Sequence, residues 1–325
     1  MKETCMHEPR TTLQTDPLYP RLQRQRVLIL DGALATELER RGADLNDPLW
    51  SARILIEQPD LIREVHTDYF AAGADVATTA SYQATFEGFA RRGIDQAAAA
   101  DLMRRSVALA CEARDEFWAV TANHDGRMRP LVAASVGPYG AMKADGSEYR
   151  GGYDLDEETL MTFHRPRLKV LIEAGADLLA FETLPCLAEA RALARLLEEF
   201  PGVYAWVSFS CRDDLHNCQG EVFSDCVKAL EAFAQIVAVG VNCTPPEHIV
   251  PLLTAARQVS NKTLLAYPNS GESYDAMHKC WHGIKDATGF AESARTWYQA
   301  GARVIGGCCR TTPADIHALT TWARA

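Results

Sequence analysis

The sequence predicts a closed (β/α)8 barrel, a TIM barrel, and three observations in the 325-residue chain lead to that prediction. Eight short apolar runs of strand length alternate with segments that have the period of amphipathic helices. An Ala-Gly-Ala stretch recurs where a helix passes into a strand, beginning at Ala72, Ala174 and Ala300. No linker rich in Pro, Gly or Ser divides the chain, so a single domain is expected.

The strand-like runs begin after a polar leader. In chain order they are Val27–Leu30, Asp75–Ala80, Leu131–Val136, Leu178–Phe181, Ala205–Ser210, Val237–Val241, Thr263–Ala266 and Arg303–Gly306. Regular alternation with helices implies parallel strands with right-handed crossovers, and eight such units imply closure into a barrel. An open doubly wound sheet is the alternative, but the first run lacks the GxGxxG turn typical of nucleotide-binding members of that class.

Helical patterns occupy the intervals between these runs. They are Pro59–Ala72, Ile94–Ala119, Glu157–Ala174, Cys186–Glu199, Ser224–Ala234, Glu247–Val259 and Phe290–Ala300. The glycine of each Ala-Gly-Ala stretch suits the left-handed position that ends a helix. Residues 1–26 are predicted to form an irregular extension, residues 27–325 the barrel, and residues 270–289 an insertion after the seventh strand.

Composition excludes several classes of protein. The formal net charge of −10 argues against a nucleic-acid partner, which would favour a basic face. No apolar stretch approaches the roughly 18 residues of a membrane span, and the N-terminus lacks the apolar region of a secretory signal. The ten cysteines are irregularly spaced, which argues against a disulfide framework. The sequence therefore predicts a cytoplasmic protein whose thiols stay reduced.

Three cysteines follow strand-like runs. Cys243 ends the sixth run, and Cys308 and Cys309 follow the eighth. Since the carboxyl ends of barrel strands meet at one mouth, the thiols can form a Cys₃ zinc site with a fourth position open to a reactant. Adjacent side chains on a regular strand point to opposite faces, so the backbone must turn there, and Gly306-Gly307 would make a turn easy. A vicinal redox pair, Cys308 and Cys309, is the main alternative.

Two carboxylates also follow apolar runs. Asp31 comes after the first run and Glu182 after the fourth. Beside zinc they would suit the recognition of a substrate ammonium group, although helix capping or a structural role at the barrel rim is an alternative for each. The aromatic residues Tyr82, Phe86 and Tyr139 follow the second and third runs and are candidates for cation–π contact with a cationic ligand, with simple packing as the alternative.

Taken in order, the motifs closely resemble those of the homocysteine S-methyltransferase family over roughly residues 27–320. The resemblance is carried by Leu30-Asp31-Gly32-Ala33, Thr79-Ala80-Ser81-Tyr82-Gln83-Ala84, Ser135-Val136-Gly137-Pro138-Tyr139-Gly140-Ala141, Asp145-Gly146-Ser147-Glu148-Tyr149-Arg150-Gly151, Phe181-Glu182-Thr183, Val241-Asn242-Cys243, Tyr267-Pro268-Asn269-Ser270-Gly271-Glu272 and Gly306-Gly307-Cys308-Cys309-Arg310-Thr311-Thr312-Pro313. Each motif alone is weak, whereas the ordered set is specific.

The resemblance implies a Zn²⁺ ion bound by Cys243, Cys308 and Cys309. It also implies that Asp31 and Glu182 hold the amino group of homocysteine, with Asn242 beside them at the substrate. The stretch 145–151 and the compact length look most like the branch that uses S-methylmethionine. The implied reaction is zinc-dependent methyl transfer from a sulfonium, S-methylmethionine or S-adenosylmethionine, to the homocysteine thiolate, which forms methionine. The 26-residue leader, the loop around His124 and the Cys218 segment depart from the family pattern without touching its motifs.

Zinc ligation would favour the thiolate of homocysteine, and transfer of a methyl cation to a thiolate needs no general base. The lack of a catalytic histidine signature is therefore expected. Betaine or another onium donor, a zinc hydrolase, and a thiol redox protein that uses Cys308 and Cys309 remain alternatives. The expected partners are small molecules, with neither nucleic acid nor membrane, and the expected state is a monomer or small homo-oligomer.

Overall fold

The computed structural model describes residues 16–45, 51–271, 273–275, 280–282 and 289–325. Its main sheet contains the strands β1 (Leu28–Ile29), β2 (Val76–Thr78), β3 (Leu131–Val136), β4 (Leu178–Leu184), β5 (Ala205–Phe209), β6 (Ile236–Asn242), β7 (Thr263–Tyr267) and β10 (Ala302–Ile305). They pair in parallel in the order β1-β10-β7-β6-β5-β4-β3-β2. A parallel bridge from Leu30 to Val76 joins the two outer strands. The predicted (β/α)8 barrel is thus confirmed.

Helices fill the connections between strands. The α-helices are α1 (Tyr19–Leu22), α2 (Leu34–Arg40), α3 (Ser51–Glu57), α4 (Pro59–Ala72), α5 (Phe86–Ala90), α6 (Gln96–Trp118), α7 (Tyr139–Lys143), α8 (Glu157–Glu173), α9 (Leu187–Leu197), α10 (Phe223–Ala229), α11 (Ile249–Arg257), α12 (Phe290–Gln299) and α13 (Pro313–Arg324). Short 3-10 helices span Thr121–His124, Ser147–Tyr149 and Pro246–His248. No helix of the described part of the chain has the length and apolar character needed to cross a bilayer.

Side chains alternate between two apolar cores, as the period of a strand requires. Leu28, Trp206 and Leu265 belong to the core inside the barrel. Ile29 and Val207, each adjacent in sequence to an inward residue, belong to the larger core between strands and helices. The barrel interior is therefore filled by side chains, and chemistry is confined to its ends.

Three strands extend further than their apolar runs predict, and β7 is one of them, since it continues through Tyr267. β4 continues through Glu182 and Thr183 to Leu184, with a register shift after Phe181, and β6 continues through Asn242, which pairs with Tyr267. Strand pairing depends on backbone hydrogen bonds, so polar residues can prolong a strand after its apolar pattern stops. Glu182 and Asn242 consequently lie on strands at the mouth.

The predicted left-handed glycines are confirmed. Gly73, Gly175 and Gly301 have φ angles of +114°, +90° and +116° and follow α4, α8 and α12 closely. Glycine reaches this region without steric cost, which allows the chain to leave each helix and enter the next strand at once.

Two segments differ in detail from the sequence prediction. In the extension predicted to be irregular, α1 is helical and the preceding Leu18 is fully buried within the inner core, beside the residues that begin several strands. The insertion after β7 contains two short antiparallel strands, β8 (Ser273–Asp275) and β9 (Cys280–His282). Residues 272, 276–279 and 283–288 of the insertion, and residues 1–15, lie outside the described residues.

Candidate active site

The structure brings together the three cysteines that the sequence singled out. Cys243 follows β6, and Cys308 and Cys309 lie just beyond β10, with only β7 between the two strands. The Cys309 sulfur is 3.7 Å from that of Cys243 and 4.0 Å from that of Cys308. The Cys243 and Cys308 sulfurs are joined in a disulfide. The bonded pair is therefore not the vicinal pair of the redox hypothesis.

Glycines 306 and 307 matter through their small size. A Cβ at Gly306 would lie 2.5 Å from Leu30 Cβ and 2.8 Å from the Asp31 carbonyl oxygen, and one at Gly307 would lie 2.2 Å from Thr311 Oγ1. Neither glycine has a positive φ, whereas Arg310 does, at +69°. Their predicted role as flexible turn residues is thus corrected: they allow the chain after β10 to pass close to the end of β1.

The donor set fits a zinc ion. All three sulfurs lie within 4.8 Å of one another. Tetrahedral zinc, with Zn–S bonds of about 2.3 Å, holds its thiolates roughly 3.8 Å apart, close to the two non-bonded separations here. Burial raises the pKa of the Cys309 thiol to about 12, so the protein alone does not favour its thiolate at neutral pH. A metal ion bound by the three sulfurs would favour the thiolate.

Asp31 lies at the end of β1 with 3% of its surface exposed. Its Oδ2 accepts a hydrogen bond from the Thr78 amide at 2.8 Å, and the Thr78 hydroxyl is 3.1 Å from Oδ1. Burial raises the pKa of Asp31 well above its usual value, and the negative charge of Glu182 raises it further. The two carboxylates therefore share one electrostatic environment.

Glu182 is equally enclosed. Its Oε1 accepts from the Ser135 hydroxyl and its Oε2 accepts from the Tyr267 hydroxyl at 3.0 Å. The Tyr267 oxygen also accepts from Trp206 Nε1 at 3.0 Å, which fixes the ring. Burial raises the pKa of Glu182. Within the described part of the chain, neither Asp31 nor Glu182 forms an ion pair with Lys, Arg or His, so the site has negative potential without a matching cation.

Asn242 holds the end of β4. Its Oδ1 accepts from the Thr183 amide at 2.8 Å, its Nδ2 donates to Thr183 Oγ1 at 2.8 Å, and Nδ2 is 3.9 Å from the Cys308 sulfur. Thr183 and Cys243 have φ angles of +61° and +46°, which non-glycine residues rarely adopt and which cluster at functional sites. Asn242 therefore links the position of Glu182 to that of the cysteines, and its direct contact with substrate stays a prediction.

Tyr82, Phe86 and Tyr139, the three candidates for contact with the donor, lie in different surroundings. Burial raises the pKa of the Tyr82 phenol well above its usual value, and charges on Glu148, Glu182 and Cys309 raise it further, so this hydroxyl belongs to the site. Phe86 packs against the core between strands and helices. The Tyr139 ring packs edge-on against Tyr153 and Phe163, at centroid distances of 5.4 and 5.0 Å.

The structure adds five residues to the predicted site: Thr78, Ser135, Glu148, Tyr149 and Tyr267. Thr78, Ser135 and Tyr267 are polar residues at strand ends, and all of the five except Thr78 lie in motifs that carry the family resemblance. No individual role was predicted for them, because neither a position at a strand end nor a place in a motif shows which side chains a residue contacts. Glu148 and Tyr149 belong to the 3-10 helix after β3.

Comparison with known proteins agrees with this geometry. The family model described as homocysteine S-methyltransferase matches residues 28–323. The chain belongs to the homocysteine S-methyltransferase family. It is 56% identical over 310 residues to the homocysteine S-methyltransferase YbgG of Bacillus subtilis (strain 168), covering 95% of this chain and 98% of that protein.

Other members of the homocysteine S-methyltransferase family extend the comparison. The selenocysteine Se-methyltransferase of Brassica oleracea var. italica is 48% identical, covering 90% of this chain and 87% of that protein. The homocysteine methyltransferase MmuM of Escherichia coli has crystal structures titled as an oxidized form and a metallated form. They superpose with TM-scores of 0.86 and 0.85 at 48% identity, covering 96% and 94% of this chain and all of each MmuM chain. Membership makes this chain a methyltransferase with the fold of MmuM.

Proposed function

We propose that this protein transfers a methyl group from a sulfonium donor, preferentially S-methylmethionine, to the thiol of L-homocysteine, with Zn²⁺ as cofactor. The observation that carries the proposal is the convergence of three cysteine sulfurs at the ends of β6 and β10, in the same mouth as two buried carboxylates that form no ion pair with any described Lys, Arg or His. The products would be two molecules of methionine, one from the acceptor and one from the donor.

Cys243, Cys308 and Cys309, in their reduced state, would hold the zinc. When bound, zinc would supply Lewis acidity that favours the thiolate of homocysteine over the thiol at neutral pH. Three thiolate ligands outweigh the charge of Zn²⁺, so the protein side of the site has a net negative charge that attracts a cationic donor.

Asp31 and Glu182 would bind the ammonium group of homocysteine. Each carboxylate already accepts hydrogen bonds from neutral groups, Thr78 for Asp31 and Ser135 with Tyr267 for Glu182, and these fix its orientation. Burial makes their negative charges costly in the free protein, and an ammonium between them would relieve that cost. The thiol of the same amino acid would then face the cysteines.

Methyl transfer breaks one S–CH₃ bond of the sulfonium, whose electron pair stays on the departing sulfur as a neutral thioether. A new C–S bond forms at homocysteine with an electron pair of its thiolate. The chain contributes binding, orientation and a negative environment for the cationic donor, and no side chain has to take a proton during the step. Tyr82, whose hydroxyl lies in the site, is the aromatic residue best placed to contact the sulfonium.

Methylation of selenocysteine is a second candidate activity, favoured by the 48% identity to the selenocysteine Se-methyltransferase of Brassica oleracea var. italica. A selenol is more acidic than a thiol, so the same three cysteines and carboxylates would suit a selenolate acceptor. Selenocysteine is one methylene shorter than homocysteine, which would weaken simultaneous contact with the cysteines and the carboxylates.

A donor and acceptor assay tests the proposal. The reduced, zinc-loaded protein would be incubated with homocysteine and one of S-methylmethionine, S-adenosylmethionine or betaine, and methionine would be measured by mass spectrometry. Deuterium in the donor methyl groups should appear in methionine built on homocysteine, fastest with S-methylmethionine. Turnover with betaine and with neither sulfonium would contradict the proposed donor.

A further inference from the structure

A segment after β3 crosses the barrel mouth. Its 3-10 helix, Ser147–Tyr149, contacts β4, the strand that bears Glu182. The Ser210 hydroxyl at the end of β5 donates to the Glu148 carbonyl oxygen at 3.2 Å, and the Gly152 amide donates to Gln219 Oε1 at 2.9 Å. The segment 145–153 therefore reaches from β3 to the loop after β5 and lies over the end of β4. We refer to it as the strap.

Fully buried side chains fix the position of the segment that leads from β3 into the strap. Glu189 Oε1, on α9, accepts from the Tyr139 amide at 2.6 Å and lies 2.8 Å from His164 Nε2. Arg167, on α8, donates to the Gly137 carbonyl oxygen. Where the chain turns back, Gly140 packs so closely that an added Cβ would lie 2.5 Å from the Glu148 amide nitrogen. The position of Glu148 is thus set by contacts on both of its flanks.

The Glu148 carboxylate has unused capacity for hydrogen bonds. Its Oε2 is buried and has no hydrogen-bond partner among the described residues. Burial raises the pKa of the Tyr82 and Tyr149 phenols, and the charge of Glu148 raises it further. Glu148 is therefore a third carboxylate at the mouth, on the strap, apart from the strands that carry Asp31 and Glu182.

The buried Oε2 of Glu148 indicates what kind of ligand group it can bind. A buried carboxylate oxygen is satisfied by an N–H or O–H donor, and a charged donor gives the stronger bond. A sulfonium has no such hydrogen, whereas the α-ammonium of an amino acid has three. In the proposed reaction the acceptor's ammonium is bound by Asp31 and Glu182, which leaves the ammonium of the donor amino acid without a partner.

We propose that Glu148 binds the α-ammonium of the methyl donor, in a subsite that it forms with Tyr82 and Tyr149 under the strap. This inference rests on the proposed function and assigns the donor's amino-acid end to named residues. The subsite selects donors that carry an α-amino group beside the sulfonium, and it leaves recognition of homocysteine unaffected.

The test compares two donors in wild type and Glu148→Gln, with homocysteine as acceptor. One donor is S-methylmethionine, and the other is its deamino analogue, which keeps the dimethylsulfonium and the carboxylate. Loss of a charge-assisted hydrogen bond should raise the KM for S-methylmethionine roughly ten- to hundred-fold. The KM for homocysteine and the kcat/KM for the deamino analogue should each change less than about two-fold, since neither depends on the Glu148 contact.

Matched variants separate the contact from other effects. Asp214→Asn removes one negative charge from an exposed position in the loop after β5 and should leave both donors unaffected. Glu148→Asp retains the charge and should keep part of the preference for S-methylmethionine. An equal fall in kcat/KM with both donors, or a higher KM for homocysteine, would overturn the assignment. If the proposed function is wrong instead, wild type itself will fail to use either sulfonium.

Discussion

At the residue scale, Asp31 and Glu182 are deeply buried carboxyl groups that form no ion pair with a basic side chain in the described part of the chain. Glu182→Gln should lower kcat/KM for homocysteine roughly ten- to hundred-fold, mainly through KM, because one charge-assisted hydrogen bond to the ammonium is lost. The amide oxygen can accept from only one of the Ser135 and Tyr267 hydroxyls, and the amide NH₂ would have to donate to the other, but neither hydroxyl is a metal ligand, so bound metal should be unchanged. Steady-state kinetics and metal analysis would measure both effects.

The same substitution separates a binding role from a structural one. Because burial raises the pKa of Glu182, its ionised form is a cost to the free fold, and removing the charge should keep or raise the Tm at neutral pH. A lower Tm with unchanged KM would mean that the carboxylate is structural. Glu247→Gln, at an exposed position after β6, serves as the control for loss of one charge at this face.

The cysteines allow a second prediction at this scale. Cys308→Ala leaves two of the three sulfurs, so the reduced variant should lose most of its zinc and all measurable methyl transfer. The barrel core is independent of the site, and the Tm of the metal-free variant should stay near that of metal-free wild type. Metal analysis of dialysed protein decides the matter, and full zinc occupancy in the variant would remove Cys308 from the ligand set.

At the element scale, the end of β10 depends on close packing against the end of β1. Gly306→Ala would place a Cβ 2.5 Å from Leu30 Cβ and 2.8 Å from the Asp31 carbonyl oxygen, so the cysteines and Asp31 would move together. The variant should lose zinc and weaken homocysteine binding, measured by metal analysis and by the KM for homocysteine.

Gly301→Ala is the matched control at the other end of the same strand. Its φ of +116° makes alanine strained by roughly 1–2 kcal/mol, while the atoms nearest to a new Cβ are 3.5 Å or more away. This variant should therefore lower the free energy of unfolding and keep its zinc. If both variants kept zinc equally, close packing at Gly306 would not position the site.

Helix α4 carries a second prediction at the element scale. His66 is fully buried, and neither ring nitrogen has a hydrogen-bond partner among the described residues. Burial lowers its pKa from 6.5 to about 4. Below pH 6.5 the unfolded chain takes up a proton that the folded protein does not, so this residue should remove up to about 3 kcal/mol of stability as the pH falls to 4.

Replacement of His66 by leucine should flatten that part of the stability profile. Chemical unfolding between pH 4 and 8 would measure the free energy of unfolding of both proteins, and the difference should grow as the pH falls. His317→Gln, on an exposed face of α13, controls for the loss of a histidine as such. A difference that does not vary with pH would show that the pKa of His66 is the same in the folded and unfolded states.

At the scale of the whole molecule, the three cysteines can be either metal ligands or partners in a disulfide. The Cys243–Cys308 bond uses two of the three ligands, so oxidised protein should bind no zinc and transfer no methyl group. Mild oxidation should remove two free thiols per chain together with the metal, and reductant with zinc should restore activity. Cys111→Ser should behave in the same way, since that cysteine lies on helix α6, away from the strand ends that form the site. Retention of zinc by the oxidised protein would contradict this prediction.

Local patterns in the sequence determine the barrel and most of its mouth. The short apolar runs of the strands, the helical periods between them and the glycines that end helices are encoded by neighbours along the chain, and the structure confirms the strands, helices and left-handed glycines that they predict. The parallel order of strands then places Asp31, Glu182, Cys243, Cys308 and Cys309 at one end, because every strand of such a barrel points the same way.

Only the tertiary structure decides how those residues cooperate. It shows that position 306 must be glycine because the end of β1 packs against it, and that Asn242 fixes the position of Thr183 by hydrogen bonds. It also shows that the buried cluster around Glu189 fixes the segment that leads from β3 into the strap. It also brings Glu148 to the mouth from a loop that follows another strand. Such contacts join residues far apart in the chain whose types obey no period, so they arise only when the barrel closes and its loops pack across the open end.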